Sequence, residues 1–110
     1  MKLLDAKLRQ RLPPLHSSEN VADPMVVCKF TLSDLAWDWY VIEFDGKDTL
    51  FGHIAGFETE LGYSAVSKKD PELGYFSLSE LESTEGRFYP PVELDPQFKP
   101  QPLSQIKKLH

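Results

Sequence analysis

A chain of 110 residues that is 41% hydrophobic, with seven Phe, four Tyr and two Trp, has apolar area for one core and too little length for two. Its net charge of −5 is unevenly spread: residues 1–12 carry +3, residues 99–110 carry +3, and residues 13–98 carry −11. This composition excludes a disordered chain, the single Cys28 excludes an intramolecular disulfide or a cysteine-based zinc cluster, and no apolar run approaches the length of a membrane span.

Leu4, Leu8 and Leu12 fall at i, i+4 and i+8, with Lys7, Arg9 and Arg11 mainly off that face, so the spacing predicts an amphipathic helix over 3–12. Pro13-Pro14 ends it, since proline disfavours helical geometry in its predecessor and has no N–H to donate. The opening Met1-Lys2-Leu3-Leu4 meets Asp5 and Lys7 at once and does not read as a signal peptide, which sets a cytoplasmic location as the expectation. Residues 15–24, LHSSENVADP, read as a polar loop. The Val and Phe content of residues 25–32, MVVCKFTL, predicts a strand with Cys28 as a small buried residue.

Residues 37–44, WDWYVIEF, predict a second strand. Strict alternation sends Trp37, Trp39, Val41 and Glu43 to one face and Asp38, Tyr40, Ile42 and Phe44 to the other. Bulk on both faces implies cover on both sides. Asp45-Gly46 is a strong hairpin signal, and Asp45 and Asp48 in that turn are expected to cap backbone rather than bind a cation. The third strand, 49–57, runs antiparallel to the second. There Phe51, His53, Ala55 and Phe57 oppose Leu50, Gly52, Ile54 and Gly56, and glycine on an apolar face implies close approach or a bulge. His53, set among apolar residues, is expected to be a half-buried histidine.

The tetrad Glu-Leu-Gly-Tyr occurs at Glu60 and again at Glu72. The first copy runs into a charged turn, Lys68-Lys69-Asp70-Pro71, and reads as part of a hairpin insertion over 58–71. The second runs into Ser77-Leu78-Ser79-Glu80, a capping-box pattern that predicts a short helix over 78–83 with Leu78 and Leu81 facing the core. Residues 84–102 are proline-rich and interleaved with Phe88, Tyr89, Val92, Leu94 and Phe98, an extended arm with one edge strand at 91–95. A last helix is predicted over 103–109. The fold class is α+β: an antiparallel sheet of four to five strands packed against an N-terminal helix, with short helices and a Pro-rich C-terminal arm, in a single domain spanning 1–110.

No catalytic or metal motif of specific spacing is present, and no cofactor is expected. A non-enzymatic protein is therefore the leading reading, acting on a protein partner through an acidic and aromatic surface. Its candidate contacts are Trp37, Trp39, Tyr40, Glu43, Asp45, Asp48, Glu58 and Glu60, because aromatic side chains dominate interface energetics and acidic rims steer basic partners. The alternative is nucleic-acid association through the basic termini, Lys2, Lys7, Arg9, Arg11, Lys107 and Lys108, should they converge. A small hydrolase-like enzyme using Glu43, Glu58, Glu60 or His53 is the second alternative. No membrane partner is expected.

Three phrases together are more specific than any single residue: WYVIEFDGKDTLFG from Trp39 to Gly52, ELGYFSLSELE from Glu72 to Glu82, and PVELDPQFKPQPLS from Pro91 to Ser104. With the Met1-Lys2-Leu3-Leu4 opening, they resemble a family of small bacterial proteins defined as domain of unknown function 2958, over essentially the whole chain. The resemblance implies a setting on plasmids and integrative conjugative elements, near antirestriction and DNA-transfer genes, and hence an accessory role such as inhibiting host defence or assisting DNA transfer. It carries over no catalytic residue. This chain departs from the family pattern in its first Glu-Leu-Gly-Tyr, which precedes the block that begins at Glu72.

Overall fold

The computed structural model describes residues 3–32, 37–55, 72–84 and 90–108. The predicted insertion over 58–71, with the first Glu-Leu-Gly-Tyr, and the aromatic pair Phe88 and Tyr89 lie outside the described residues. In chain order the elements are α1 (Ala6–Arg11), β1 (Met25–Val26), β2 (Cys28–Leu32), β3 (Trp37–Phe44), β4 (Thr49–Ala55), β5 (Glu72–Ser77), α2 (Leu78–Glu82), β6 (Glu93–Leu94), β7 (Gln101–Pro102) and α3 (Leu103–Lys107). The protein is mixed helix and strand, built on a five-stranded antiparallel sheet of order β5-β4-β3-β2-β6, with β1 and β7 forming a separate two-stranded ribbon.

The predicted strand over 25–32 divides at Val27. Met25 and Val26 pair with Pro102 and Gln101, whereas Cys28–Leu32 pair with β3, and the Val27 N–H donates to the Val41 carbonyl at 2.9 Å. Predicted helix 3–12 is shorter as well. Helix α1 starts after Asp5, whose side chain accepts the Leu8 N–H, and contains no fully buried residue; the buried leucines are Leu3, Leu4 and Leu12, just outside it, with Leu8 partly buried against them. Proline after Leu12 stops the helix one residue before the apolar stripe is complete.

Strand β3 is where simple alternation fails. Val41 pairs with Gly52 and Glu43 with Phe51, so Ile42 is an extra residue, a bulge in the ladder. Trp37, Trp39, Val41 and Phe44 consequently share one face with Leu50, Ile54 and Phe76, in the larger core cluster. Tyr40, Ile42 and Glu43 share the opposite face, with Ala55, Leu103 and Ile106 in the second cluster. The expectation that Glu43 joins the tryptophans and Phe44 opposes them is thus corrected: one inserted residue moves every later side chain to the other face. Gly52 lies opposite this bulge, and a Cβ there would sit 1.9 Å from the Tyr40 carbonyl oxygen, so the close approach leaves no room for any side chain.

Both sheet faces are covered. Leu78 and Leu81 of α2 and Val92 close the tryptophan side, and Leu103 and Ile106 of α3 close the other. Full burial of such side chains stabilises the fold by about 1.5–3 kcal/mol each.

Candidate functional site

The bulge aims Glu43 at the loop 13–24, and this contact organises the face of the sheet that carries α3. Glu43 is 1% exposed. Its Oε1 accepts the His16 N–H at 2.8 Å, and its Oε2 accepts the Ser18 N–H at 2.8 Å together with the Ser18 hydroxyl. Burial pushes the carboxyl pKa up, but the hydrogen bonds from Ser18 and His16 outweigh it and hold the group below its ordinary value. Phe44 N–H donates to the Pro13 carbonyl at 3.0 Å, so the loop is held to the end of β3 at two points. His16 takes a left-handed backbone with φ of 72°, which a non-glycine residue adopts only when its surroundings compensate.

Around this anchor the loop forms two adjoining clefts. One, of about 250 Å³, lies between His16, Glu19 and Val21 of the loop, Phe51, Leu73 and Tyr75 of the sheet, and Lys107 of α3. His16 Nδ1 and Glu19 Oε1 are 2.8 Å apart on its exposed rim, and the Tyr75 ring lies 6.3 Å from the His16 ring and 5.0 Å from that of Phe51. The other, of about 540 Å³, lies between Arg11 of α1, Val21, Pro24 and Met25 of the loop and ribbon, Ile42 and Pro100. Ser18, Val21 and Pro24 line both. Val21, Met25, Leu73 and Tyr75, between 43% and 53% exposed, are the large hydrophobic side chains most open to solvent among the described residues, and each borders one of these clefts.

The sequence matches the family described as Protein of unknown function (DUF2958) over residues 3–109. The chain belongs to this family. No curated protein and no solved structure matches it. Because the family match spans both the sheet and the loop 13–24, the DUF2958 unit contains the Glu43 anchor and both clefts.

Trp37 and Trp39, expected as partner contacts, are 1% and 0% exposed inside the DUF2958 core, their rings stacked 6.0 Å apart. A side chain so placed is not open to a partner, and the same holds for Tyr40 and Glu43. Asp45 caps its own turn, as expected, whereas Asp48 caps the start of α2, outside that turn. Asp45 Oδ1 accepts the N–H groups of Lys47, Asp48 and Thr49 at 2.7–3.1 Å. Asp48 accepts the Ser77 hydroxyl at 2.5 Å and the Ser79 N–H at 2.7 Å, fastening the β3–β4 turn to the start of α2. Hydrogen bonding holds both carboxyls below their ordinary values, Lys47 leading for Asp45 and Ser77 for Asp48. Glu58 and Glu60 lie outside the described residues.

Of the basic set, Lys7, Arg9 and Arg11 are exposed on α1, and Lys107 and Lys108 are exposed at the end of α3; Lys2 lies outside the described residues. Arg9 lies over the Phe44 ring at 5.4 Å, while Arg11 and Lys107 border the two adjoining clefts. His53 is buried on the α3 side, 6.0 Å from the Tyr40 ring. Among the described residues no group of three or more His, Cys, Asp or Glu is placed to hold a metal ion, and no helix is long and apolar enough to cross a membrane.

Sequence reading missed the loop residues His16, Ser18, Val21 and Asp23. Asp23 accepts the N–H and hydroxyl of Ser104 at 2.8 and 2.7 Å, capping α3 from 81 residues away. The available signal was Glu43 itself: a carboxylate inside an apolar strand requires donors, and LHSSEN is a nearby segment rich in them.

Proposed function

We propose that this protein is a non-enzymatic accessory factor of a mobile genetic element that acts by binding another protein, in inhibition of host defence or in DNA transfer. Its contact surface is the loop 13–24 with Met25, Leu73 and Tyr75, in place of the contacts expected on β3 and the turn after it. The observation that carries this reading is the gathering of Val21, Met25, Leu73 and Tyr75 around one loop, each about half exposed. Exposed apolar side chains grouped beside concave surface are the usual mark of a protein contact. Glu43 and Asp48 support it from the other side, since both oxygens of each are occupied by backbone and serine donors and are not offered to a substrate proton. The N-terminal helix laid on the sheet and the Pro-rich segment acting as an arm complete the architecture proposed; Leu8 against the larger core, and Val92 and Leu94 beside it, support both.

The test is site-specific photo-crosslinking in the native host, with the crosslinker at Tyr75 and, as control, at Lys47. A discrete protein adduct from Tyr75 that is missing from Lys47 is expected. Equal adducts from both positions, or none from Tyr75, would remove the reading.

Nucleic-acid association is the second reading, because Arg11 and Lys107 border clefts that meet at Ser18, Val21 and Pro24. It requires a band shift on single- or double-stranded DNA at low salt that disappears when Lys2, Lys7, Arg9, Arg11, Lys107 and Lys108 are replaced by Gln; no shift sinks it.

A further inference from the structure

The larger cleft has a chemical character that specifies its occupant. Its volume of about 540 Å³ falls in the range of about 300–1,000 Å³ usual for ligand pockets. Its walls are Val21, Pro24, Met25, Ile42 and Pro100, and its hydroxyls are already engaged: Ser17 Oγ donates to the Pro14 carbonyl at 2.6 Å, and Ser18 Oγ donates to Glu43. Among the described residues Arg11 is the one charged group on its lining.

Arg11 also differs from the cations around it. Lys29 lies 3.8 Å from both Asp38 and Asp95, and Arg9 lies over Phe44, whereas Arg11 makes no ion pair among the described residues. A guanidinium is a donor only, with a planar fork matched to a carboxylate. An occupant that satisfies this cleft therefore has apolar side chains for the walls and an acceptor anion for Arg11. Nucleic acid fits poorly, because a phosphate backbone is held by several cations and this apolar cleft presents one among the described residues.

We propose that this cleft binds a segment of a partner protein in which bulky apolar side chains flank an acidic residue, with that carboxylate on Arg11. The proposal rests on the protein-binding reading above and sharpens it: the partner segment is acidic, the reverse of what the chain's own excess of acid led the sequence to predict. Met25 and Val21, 50% and 49% exposed, supply the apolar contact, and Arg11 supplies the selection.

The test uses the full chain and fluorescein-labelled, end-blocked octapeptides of alternating Leu, Phe and Glu, with matched peptides carrying Gln or Lys in place of Glu. Binding is read by fluorescence anisotropy at low and at physiological ionic strength. The Glu peptide is expected to bind about tenfold or more tighter than the Gln peptide, the worth of one charge-assisted pair, and the Lys peptide weakest. Arg11→Gln is expected to abolish the difference between Glu and Gln peptides while leaving residual apolar binding. Met25→Glu is expected to remove binding of both. Arg11 and Met25 are exposed, so each variant keeps the wild-type circular dichroism and thermal midpoint. Equal affinity for Glu and Gln peptides, a difference that survives Arg11→Gln, or no peptide binding by the wild type overturns the proposal. So does a concentration-dependent dimer that Met25→Glu dissociates, which would make a second copy the occupant. A Tyr75 crosslink obtained alongside any of these results leaves protein binding standing and removes only this cleft and its acidic ligand.

Discussion

Glu43 accepts the backbone N–H of His16 at 2.8 Å across 27 residues of chain, and through that bond a bulge in β3 sets the shape of the loop 13–24. Glu43→Ala leaves the part-buried N–H groups of His16 and Ser18 without their acceptor. A loss of about 2–3 kcal/mol is expected, as for hydrogen bonds to a charged group, with the loop amides of 16–21 losing hydrogen-exchange protection before the sheet does.

The same carboxyl makes stability depend on pH. Its folded pKa is depressed below the ordinary Glu value, so its contribution is present above the unfolded pKa and is lost as pH falls through the folded one. Asp48 shifts in the same direction. Urea midpoints measured between neutral pH and about pH 3 should therefore decline, starting near the ordinary Glu pKa of about 4.3. In Glu43→Gln the decline should be shallower.

Gly52→Ala should be severely destabilising. The added methyl meets the Tyr40 carbonyl, which is backbone held in the β3–β4 ladder, so relief requires moving a strand. Overpacking costs about 1–3 kcal/mol where side chains can adjust and more where they cannot. A urea midpoint within error of wild type would show that the bulge opens to admit it.

Trp37 and Trp39 stack inside the core, and their indole N–H groups have no hydrogen-bond acceptor among the described residues. Trp37→Phe thus forfeits packing without breaking a hydrogen bond, while Trp37→Ala should cost about 3–5 kcal/mol. Comparison of the two unfolding curves checks this. Replacing either tryptophan should leave the Tyr75 crosslink intact wherever the fold persists.

Cys28 reports on global opening. It is 4% exposed, and burial pushes its thiol pKa up to about 12. A disulfide reagent at mild alkaline pH should react with it only as fast as the chain unfolds, and immediately in denaturant. Fast reaction under native conditions would mean that β2 frays locally.

Features that depend on neighbours in the chain could be read before any tertiary contact was known. The strand over 37–44, a strand starting at Thr49 (read as 49–57, observed as Thr49–Ala55), the Asp-Gly hairpin, and the Ser77 cap ahead of a helix that spans Leu78–Glu82 were all legible from local period and turn chemistry. So was burial of both faces of β3. Which face Glu43 and Phe44 occupy could not be read that way, because the bulge at Ile42 exists only in the register between β3 and β4. Tertiary contacts also set the fate of the acids. Glu43 and Asp48 were expected among the contacts to a partner, yet they, like Asp23 and Glu82, each accept a backbone N–H from a residue 25 to 81 positions away. No local pattern encodes which distant N–H lacks an acceptor; that need arises only when folding removes water from both.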